Sequence, residues 1–233
     1  MKRSLFLLIL CASAAAAGGT TKKPGQAAGH ITVDGVLRMM DSSAKSFKSL
    51  TADLENIKYT AVVKDTSTET GQILVRHDQK MRIEIAQPDK RTILRAGDSL
   101  YLYNPKLNRV EEYNLGKNRS VVDQYVLLGF GSKSENLRKS YDIKLTGEED
   151  LDQRKVAVLE LTPKSDEVRA QITKIQMWID EASWLPLQQK FYEATEGDYF
   201  LFHYTKIKEN LKLGEGPFKP DWPKDATVVK PHA

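Results

Sequence analysis

Two hydrophobic periods divide the chain. Between residues 32 and 50 the apolar side chains recur at helical spacing, and they form one face that contains Val33, Val36, Met40, Ala44 and Phe47. Thr32 or Asp34 offers a side-chain cap for the first turn. From Thr51 onward the period falls to two. The pattern therefore predicts one long amphipathic helix followed by a series of β-strands.

The period of two continues through most of the remaining sequence. Met81, Ile83 and Ile85 face one way on one strand, and Ile175 and Met177 do so on another. Further strands are predicted over residues 59–63, 71–76, 91–96, 100–103, 109–113, 141–146, 155–162, 185–192 and 199–208. Because strands and helices do not alternate, these strands should form an antiparallel, barrel-like or strongly curved sheet.

Residues 97–115 have the pattern of a β-hairpin with aromatic residues just before its turn. Leu100 and Leu102 should face one side of the sheet, while Tyr101 and Tyr103 face the other. The Asn-Pro pair that follows should form the turn. The pattern leaves open which of the two pairs faces the interior.

An apolar segment interrupts the strands. Residues 120–130 are apolar over about three helical turns, and a short polar helix is predicted over residues 134–139. The apolar segment is unsuited to an exposed connection. After Asn210 the chain becomes rich in glycine and proline, and it ends in a short apolar run at residues 226–229.

The first residues have the composition of a secretory signal peptide. Lys2 and Arg3 precede an apolar run far shorter than the ~20 residues of a membrane span, and an A-x-A-like cleavage site follows. We therefore expect a signal peptide over residues 1–17, a flexible leader over 18–31 and a folded domain over 32–233. In the alternative, Cys11 is lipidated, although Leu10 precedes it where lipoprotein signals carry a small residue.

Charge and cysteine content exclude several classes of function. Removal of the signal would lower the formal net charge of +4 by two, which leaves no basic footprint for nucleic acid. It would also remove Cys11, the single cysteine of the sequence, and with it disulfides and thiolate metal sites.

The sequence offers no set of catalytic or metal-binding residues. It lacks a nucleophile elbow, a phosphate-binding loop and a dinucleotide fingerprint, and its four histidines, His30, His77, His203 and His232, lack metal-ligand spacing. We therefore expect neither an enzyme nor a cofactor or metal. What remains is apolar surface, which either packs a sealed core or lines a cavity for lipid.

Residues 71–105 resemble the LolA family of periplasmic lipoprotein carriers, without a gap. The resemblance is carried by the strand that opens at Gly71, by Gln87-Pro88-Asp89, by Gly97 and Leu100, and by the aromatic strand that ends in Tyr103-Asn104-Pro105. Further matches are Tyr125-Val126-Leu127-Leu128 in the apolar segment and the strand segments Tyr141-Asp142-Ile143-Lys144 and Leu161-Thr162-Pro163-Lys164. The similarity therefore spans most of the chain after the signal.

The resemblance implies a mostly β fold with α, an unclosed antiparallel β-barrel (half-barrel) covered by the long N-terminal helix and a short apolar helical lid. It also implies a periplasmic carrier whose hydrophobic cavity binds the acyl chains of lipoproteins. Such a carrier receives lipoproteins from an inner-membrane ABC transporter and passes them to an outer-membrane acceptor lipoprotein. The implied cavity lining is Leu74, Met81, Ile83, Ile85, Leu100, Leu102, Tyr125, Leu128, Ile175 and Met177.

One position departs from the family pattern. A family arginine on the strand after Gly71 serves to latch the lid, and His77 stands at the matching position here, followed by Asp78 in place of a proline. Arg76 precedes it but should point to the opposite face, so the latch candidates are Arg76 and His77. Three other functions stay open: a LolA-fold lipid-binding or envelope-sensing module, an outer-membrane acceptor if Cys11 is lipidated, and a sealed β module that binds only proteins.

Overall fold

The computed structural model describes residues 31–116, 128–131 and 133–231. Helix α1, Val33–Ser46, begins at Thr32, whose side chain accepts a hydrogen bond from the Gly35 backbone N–H. The helix ends four residues before the predicted boundary at residue 50, and Phe47 is already extended. Phe47 is buried against the sheet, and the first strand begins two residues later, so the helix ends early.

Twelve strands form one sheet within the described part of the chain. Their bounds are β1 Ser49–Thr60, β2 Asp65–Arg76, β3 Lys80–Gln87, β4 Arg91–Ala96, β5 Ser99–Asn104, β6 Arg109–Asn114, β7 Tyr141–Leu151, β8 Arg154–Pro163, β9 Ile172–Asp180, β10 Pro186–Glu193, β11 Tyr199–Glu209 and β12 Thr227–Val229. Two short helices, α2 Ser134–Ser140 and α3 Asp166–Arg169, and a 3₁₀ turn at Gly216–Phe218 connect them.

The sheet is not closed into a barrel. Its strand order is β12-β6-β5-β4-β3-β2-β1-β11-β10-β9-β8-β7, so β12 and β7 are its two edges. All pairs are antiparallel except β12 with β6, which run parallel. A mostly β, unclosed antiparallel sheet with few helices is therefore confirmed. Among the described residues, no helix is long and apolar enough to cross a membrane.

One face of the sheet, called the inner face below, carries the hydrophobic core. The first cluster packs Val36, Leu37 and Met40 of α1 against β8, β9 and β10, including Leu159, Leu161, Ile175, Met177 and Phe191. The second cluster packs Phe47 against β1, β2, β3 and β11, including Leu50, Leu54, Ile73, Val75, Met81 and Tyr204. Both clusters contain the alternating residues that strand geometry directs to one side.

The first strand differs from its predicted bounds. The sequence predicts a strand over residues 59–63, whereas β1 begins at Ser49 and ends at Thr60. Leu50, Ala52 and Leu54 alternate with polar residues and are buried, so this strand contributes three core positions that the helical pattern before it obscured. The chain beyond Thr60 turns instead of extending.

The aromatic hairpin and the polar helix agree with prediction. Leu100 and Leu102 pair with the inner-face residues Arg95 and Ile93, while Tyr101 and Tyr103 lie on the opposite, outer face. The predicted polar helix over residues 134–139 corresponds to α2. Of the predicted apolar helix over residues 120–130, residues 120–127 lie outside the described residues, and residues 128–130 form a turn instead of a helix, since Gly129 has a positive φ.

Candidate functional site

The inner face of β3, β4 and β5 presents apolar side chains that are only partly covered. Ile83, Ile93 and Leu102 follow one another across these strands in the pairing register, and Leu100 is the next inner-face residue of β5, opposite Arg95. Each of the four apolar side chains is half-buried. Neighbouring Met81 and Ile85 are fully buried in the second cluster. The four partly covered side chains are together called the apolar strip below.

The predicted cavity residues separate into three groups in the structure. Ile83, Leu100 and Leu102 lie on the apolar strip, and Met81 and Ile85 are packed beside it. Leu128, Ile175 and Met177 are buried together in the first cluster, under α1. Tyr125 lies outside the described residues. The predicted set is therefore not one pocket, because part of it is core and part is accessible surface.

The prediction for Leu74 is wrong in its placement. Leu74 pairs with Thr51 and Arg82, and its neighbours Ile73 and Val75 pair with the inner-face residues Ile83 and Met81. Leu74 therefore points to the outer face. Residues 73–75 are all apolar, so their period did not reveal which face of the strand is buried.

A row of polar side chains, called the polar rim below, borders the apolar strip at one end of the strands. It is formed by Asn56, Lys58, Glu69, Arg91 and Glu193, which follow the inner-face apolar residues along their strands. Glu69 accepts a 3.0 Å hydrogen bond from Asn56 Nδ2 and pairs with Arg91. Lys58 Nζ lies 3.0 Å from Glu193 Oε2.

The Asn56 amide has unused hydrogen-bonding capacity. Its Oδ1 atom is buried, and it accepts no hydrogen bond within the part of the chain that the structure describes. A buried polar atom without a partner is uncommon in native structures. It lies beside Phe202, an inner-face residue that is itself half-buried. This acceptor lies on the inner face, where the apolar residues of β1 and β11 give way to the polar rim.

A short segment, residues 128–131, covers the junction of the two clusters and is called the plug. Leu128 is buried in the first cluster and Phe130 in the second, where its ring meets Tyr204 edge-on at 5.2 Å between centroids. Gly129, between them, has a φ of +81°, and a Cβ there would lie 2.6 Å from Met177 Cε. The positive φ favours glycine at this position, and any larger residue would also have to displace the end of the Met177 side chain.

A buried polar chain fastens the plug to the sheet. Tyr204 donates a 2.7 Å hydrogen bond to Gln189 Oε1, and Gln189 Nε2 donates a 2.7 Å hydrogen bond to the Leu128 backbone carbonyl. Burial raises the pKa of the Tyr204 hydroxyl, so it remains a donor. Neither Gln189 nor Tyr204 is among the site residues predicted from the sequence. A polar Gln at an inward position of 185–192 was the available signal.

Neither latch candidate lies on the inner face where it could hold the plug. Arg76 is on the outer face, where it binds the carboxylates of Asp78 and Glu215 and the backbone carbonyl of Gly214. His77 is exposed in the turn after β2, and its backbone N–H donates to the Lys48 carbonyl. Arg76 is the last residue of β2 and His77 lies beyond the strand, so the two do not alternate along one strand as the sequence predicts, and a latching role for either residue stays a prediction.

Arg76 instead anchors the glycine- and proline-rich C-terminal segment, residues 211–230, which we call the strap. Arg82 forms a bidentate pair with Asp221 at 2.7 and 2.8 Å, and Lys80 contacts Glu215 at 2.6 Å. Trp222 then packs against Tyr101 and Tyr103, at 5.2 and 5.9 Å between ring centroids. The outward-facing tyrosines of the aromatic hairpin are therefore the contact surface for the strap.

The outer face also has an open groove of about 600 Å³ between β11, β1, β2 and β3. Most residues that line it are polar or charged, among them Asp53, Glu55, Gln72, Glu84 and His203. His203 Nε2 lies 2.7 Å from Asp152 Oδ2, so its ring is already engaged. Within the described residues, no three metal-ligating side chains are grouped as a metal site. The apolar strip is therefore the better candidate for a functional surface.

Comparisons with known proteins agree with this architecture. A family described as an uncharacterized protein matches residues 77–213, more than half of the chain. The outer-membrane lipoprotein carrier protein of Cupriavidus pinatubonensis is 26% identical over 168 residues, which cover 72% of this chain and 73% of that protein.

Solved structures show the same fold. An uncharacterized conserved protein from Thermus thermophilus matches with a TM-score of 0.56 at 14% identity, over 85% of this chain and 98% of that chain. MucB matches with a TM-score of 0.50 at 15% identity, over 84% of this chain and 64% of that chain. At these identities the structural likeness concerns the fold alone.

Proposed function

The chain belongs to the family matched over residues 77–213 and is LolA-like, and from this premise we propose that it is a periplasmic carrier of lipoproteins. In this proposal it binds their acyl chains on the inner face of its sheet and moves them from the inner to the outer membrane. An inner-membrane ABC transporter would supply the cargo, and an outer-membrane acceptor lipoprotein would receive it.

The observation that carries the proposal is the apolar strip beside the polar rim. A sealed core would bury Ile83, Ile93, Leu100 and Leu102 as fully as it buries Met81, whereas all four are half-buried. Apolar surface with a few polar groups at its edge is typical of sites for lipid-like ligands. In our proposal the acyl chain lies along the strip, and the ester or amide groups of the cargo meet Asn56 and Arg91.

A carrier must release its cargo, and simple energetics limit how much of a lipid it can bury. Each buried CH₂ group contributes about 0.8 kcal/mol, so one chain of about fifteen carbons contributes roughly 12 kcal/mol. Several fully buried chains would exceed the practical ceiling of roughly 20 kcal/mol for non-covalent binding. A partly covered strip holds a chain less completely, which supports transfer over permanent storage.

The plug offers a further means of adjusting affinity. Leu128 and Phe130 occupy apolar sites at the junction of the two clusters. If an acyl chain displaces them, binding must first break the Gln189 and Phe130 contacts. The free energy of those contacts then returns on release. This is the expected arrangement for a carrier that has to exchange its cargo.

The test of the proposal is Ile83→Asp, with Leu74→Asp as the matched control. Both residues are half-buried and lie on neighbouring strands, but Ile83 is on the inner face and Leu74 on the outer. A carboxylate at Ile83 would be desolvated by an acyl chain, which offers it neither a hydrogen bond nor a counter-charge. A carboxylate at Leu74 would stand opposite Arg82. We expect Ile83→Asp to abolish binding of a fluorescent fatty acid and of a purified lipoprotein, and Leu74→Asp to retain both.

Melting temperatures separate an open strip from a sealed core. If Ile83→Asp loses lipid binding but keeps the melting temperature of the wild type, the carrier function is supported. If wild-type protein binds no lipid and Ile83→Asp collapses the fold, at several kcal/mol out of a total of about 5–15, the protein is a sealed β module instead. Mass spectrometry of the protein from its native envelope identifies the mature N-terminus, and an acylated Cys11 would favour the acceptor.

A further inference from the structure

The most exposed aliphatic side chains of the described residues lie in hairpin turns at one end of the sheet. Val62 and Val63 are 82% and 68% exposed in the turn between β1 and β2, and Leu107 is 65% exposed in the turn between β5 and β6. The antiparallel strand order brings both turns to the same end of the strands. The polar rim lies at this end too.

Both turns are held in defined conformations by hydrogen bonds. Lys64 N donates to the Ala61 carbonyl at 3.1 Å, and Ala61 N donates to Asp198 Oδ1 at 2.7 Å. In the second turn Asn108 N donates to the Pro105 carbonyl at 3.2 Å, and the Asn108 side chain donates to Asp225. The aliphatic side chains are therefore displayed by ordered backbone, where neither face of the sheet can bury them.

Each aliphatic tip carries an exposed lysine directly beside it. Lys64 follows Val63, and Lys106 precedes Leu107. The Lys106 side chain is 77% exposed, and its Nζ lies 3.7 Å from the similarly exposed Asp89 carboxylate. Behind the first tip, Tyr59 and Tyr199 stack at 5.4 Å between centroids, and Lys190 Nζ lies 3.7 Å from the Tyr199 ring centre. This arrangement, with aliphatic side chains at the tip, tyrosines behind them and lysines beside them, suits a bilayer interface.

We propose that these two turns dock the protein on an anionic phospholipid surface, with Val62, Val63 and Leu107 entering the headgroup region and Lys64 and Lys106 contacting lipid phosphates. The charge of the lysines complements such a surface. This inference deepens the proposed carrier function, because docking at this end would face the polar rim and the apolar strip towards the membrane from which cargo is taken.

Sedimentation of the full-length mature protein with phosphatidylcholine–phosphatidylglycerol vesicles tests the proposal. We expect wild type to bind, and Val62→Asp/Val63→Asp and Leu107→Asp each to weaken binding by about tenfold. Leu211→Asp is the matched control, since Leu211 is also exposed, at 43%, but follows the opposite end of β11. Lys64→Gln/Lys106→Gln should weaken binding to the anionic vesicles and leave binding to pure phosphatidylcholine unchanged.

The docking proposal is overturned if the wild type fails to bind vesicles, or if the tip variants bind as the wild type does. Binding only to vesicles that contain a membrane protein would also overturn it, in favour of a protein partner. Aspartate is well tolerated in turns, and circular dichroism would verify folding of each variant. Fatty-acid binding in solution should be unchanged in the tip variants, and Ile83→Asp should still bind vesicles, so docking and carrier function fail separately.

Discussion

At the scale of single residues, one glycine allows two strands of the sheet to pair where their backbones approach closely. Gly71 lies on β2 at a shift in the pairing register with β3, between Thr70 and Gly71. A Cβ at this position would lie 1.9 Å from the Glu84 carbonyl oxygen. The Glu84 carbonyl belongs to the paired backbone and cannot rotate away as a side chain could. Glycine is therefore the residue that lets the two strands pair here.

Gly71→Ala should therefore destabilise the protein without touching the apolar strip. We expect the free energy of unfolding to fall by about 1–3 kcal/mol, as for other overpacked sites. The control is Gly214→Ala, where an added Cβ meets open space and φ is not positive, and its change should stay within about 0.5 kcal/mol. Chemical denaturation of both variants gives the comparison, and equal stabilities would contradict the close-approach argument.

At the scale of elements, the plug and the strap cover opposite faces of the sheet by different means. The plug is held on the inner face by aromatic packing and the buried chain from Tyr204 through Gln189 to the Leu128 carbonyl. The strap is held on the outer face by ion pairs at its start and by Trp222 further on. Buried hydrogen bonds are insensitive to salt, whereas partly exposed ion pairs are screened by it.

Tyr204→Phe should loosen the plug. The substitution leaves Gln189 Oε1 buried without its donor, which costs about 1–3 kcal/mol. We expect faster amide hydrogen exchange at residues 128–131 and faster uptake of a fluorescent fatty acid. Tyr199→Phe serves as control, because Tyr199 is a half-buried tyrosine on the same strand. Unchanged exchange at the plug in Tyr204→Phe would show that the polar chain does not hold it.

At the scale of the whole molecule, the strap packs on the outer face of the same strands whose inner face carries the apolar strip. The hydrogen bond to Arg76 holds the pKa of Asp78 down at about 2, with help from Lys80. Lys80 and Arg76 likewise lower the pKa of Glu215. Because both carboxyl pKa values are lowered by folding, their contribution is present above the ordinary carboxyl range and is lost as pH falls through the folded values.

Acid should therefore release the strap before it unfolds the core. We expect the Trp222 fluorescence to be constant above about pH 4, near the ordinary carboxyl pKa, and to change as pH falls towards about 2. Trp222→Phe identifies this signal among the three tryptophans of the sequence. Glu215→Gln, at the carboxylate of the strap itself, should remove part of the acid dependence, and a transition centred above about pH 5 would contradict the assignment to these carboxyl groups.

Much of the architecture follows from local pattern. Alternation predicts the strand that carries Met81, Ile83 and Ile85, and it divides the leucines from the tyrosines at residues 100–103, because side chains on a strand must alternate. The helical stripe that begins at Val33 predicts α1, although its end is placed too late. These features depend on neighbours in sequence, so the sequence by itself determines them.

Only the tertiary structure decides what distant partners arrange. Residues 73–75 are apolar without a break, and pairing with β1 and β3 sends Leu74 outward. Arg76 anchors a segment 139 residues further along the chain, and Gln189 reaches the carbonyl of Leu128, 61 residues before it. Such contacts leave no periodic trace in the sequence, because each depends on the register in which strands pair and on the side of the sheet where a later segment passes.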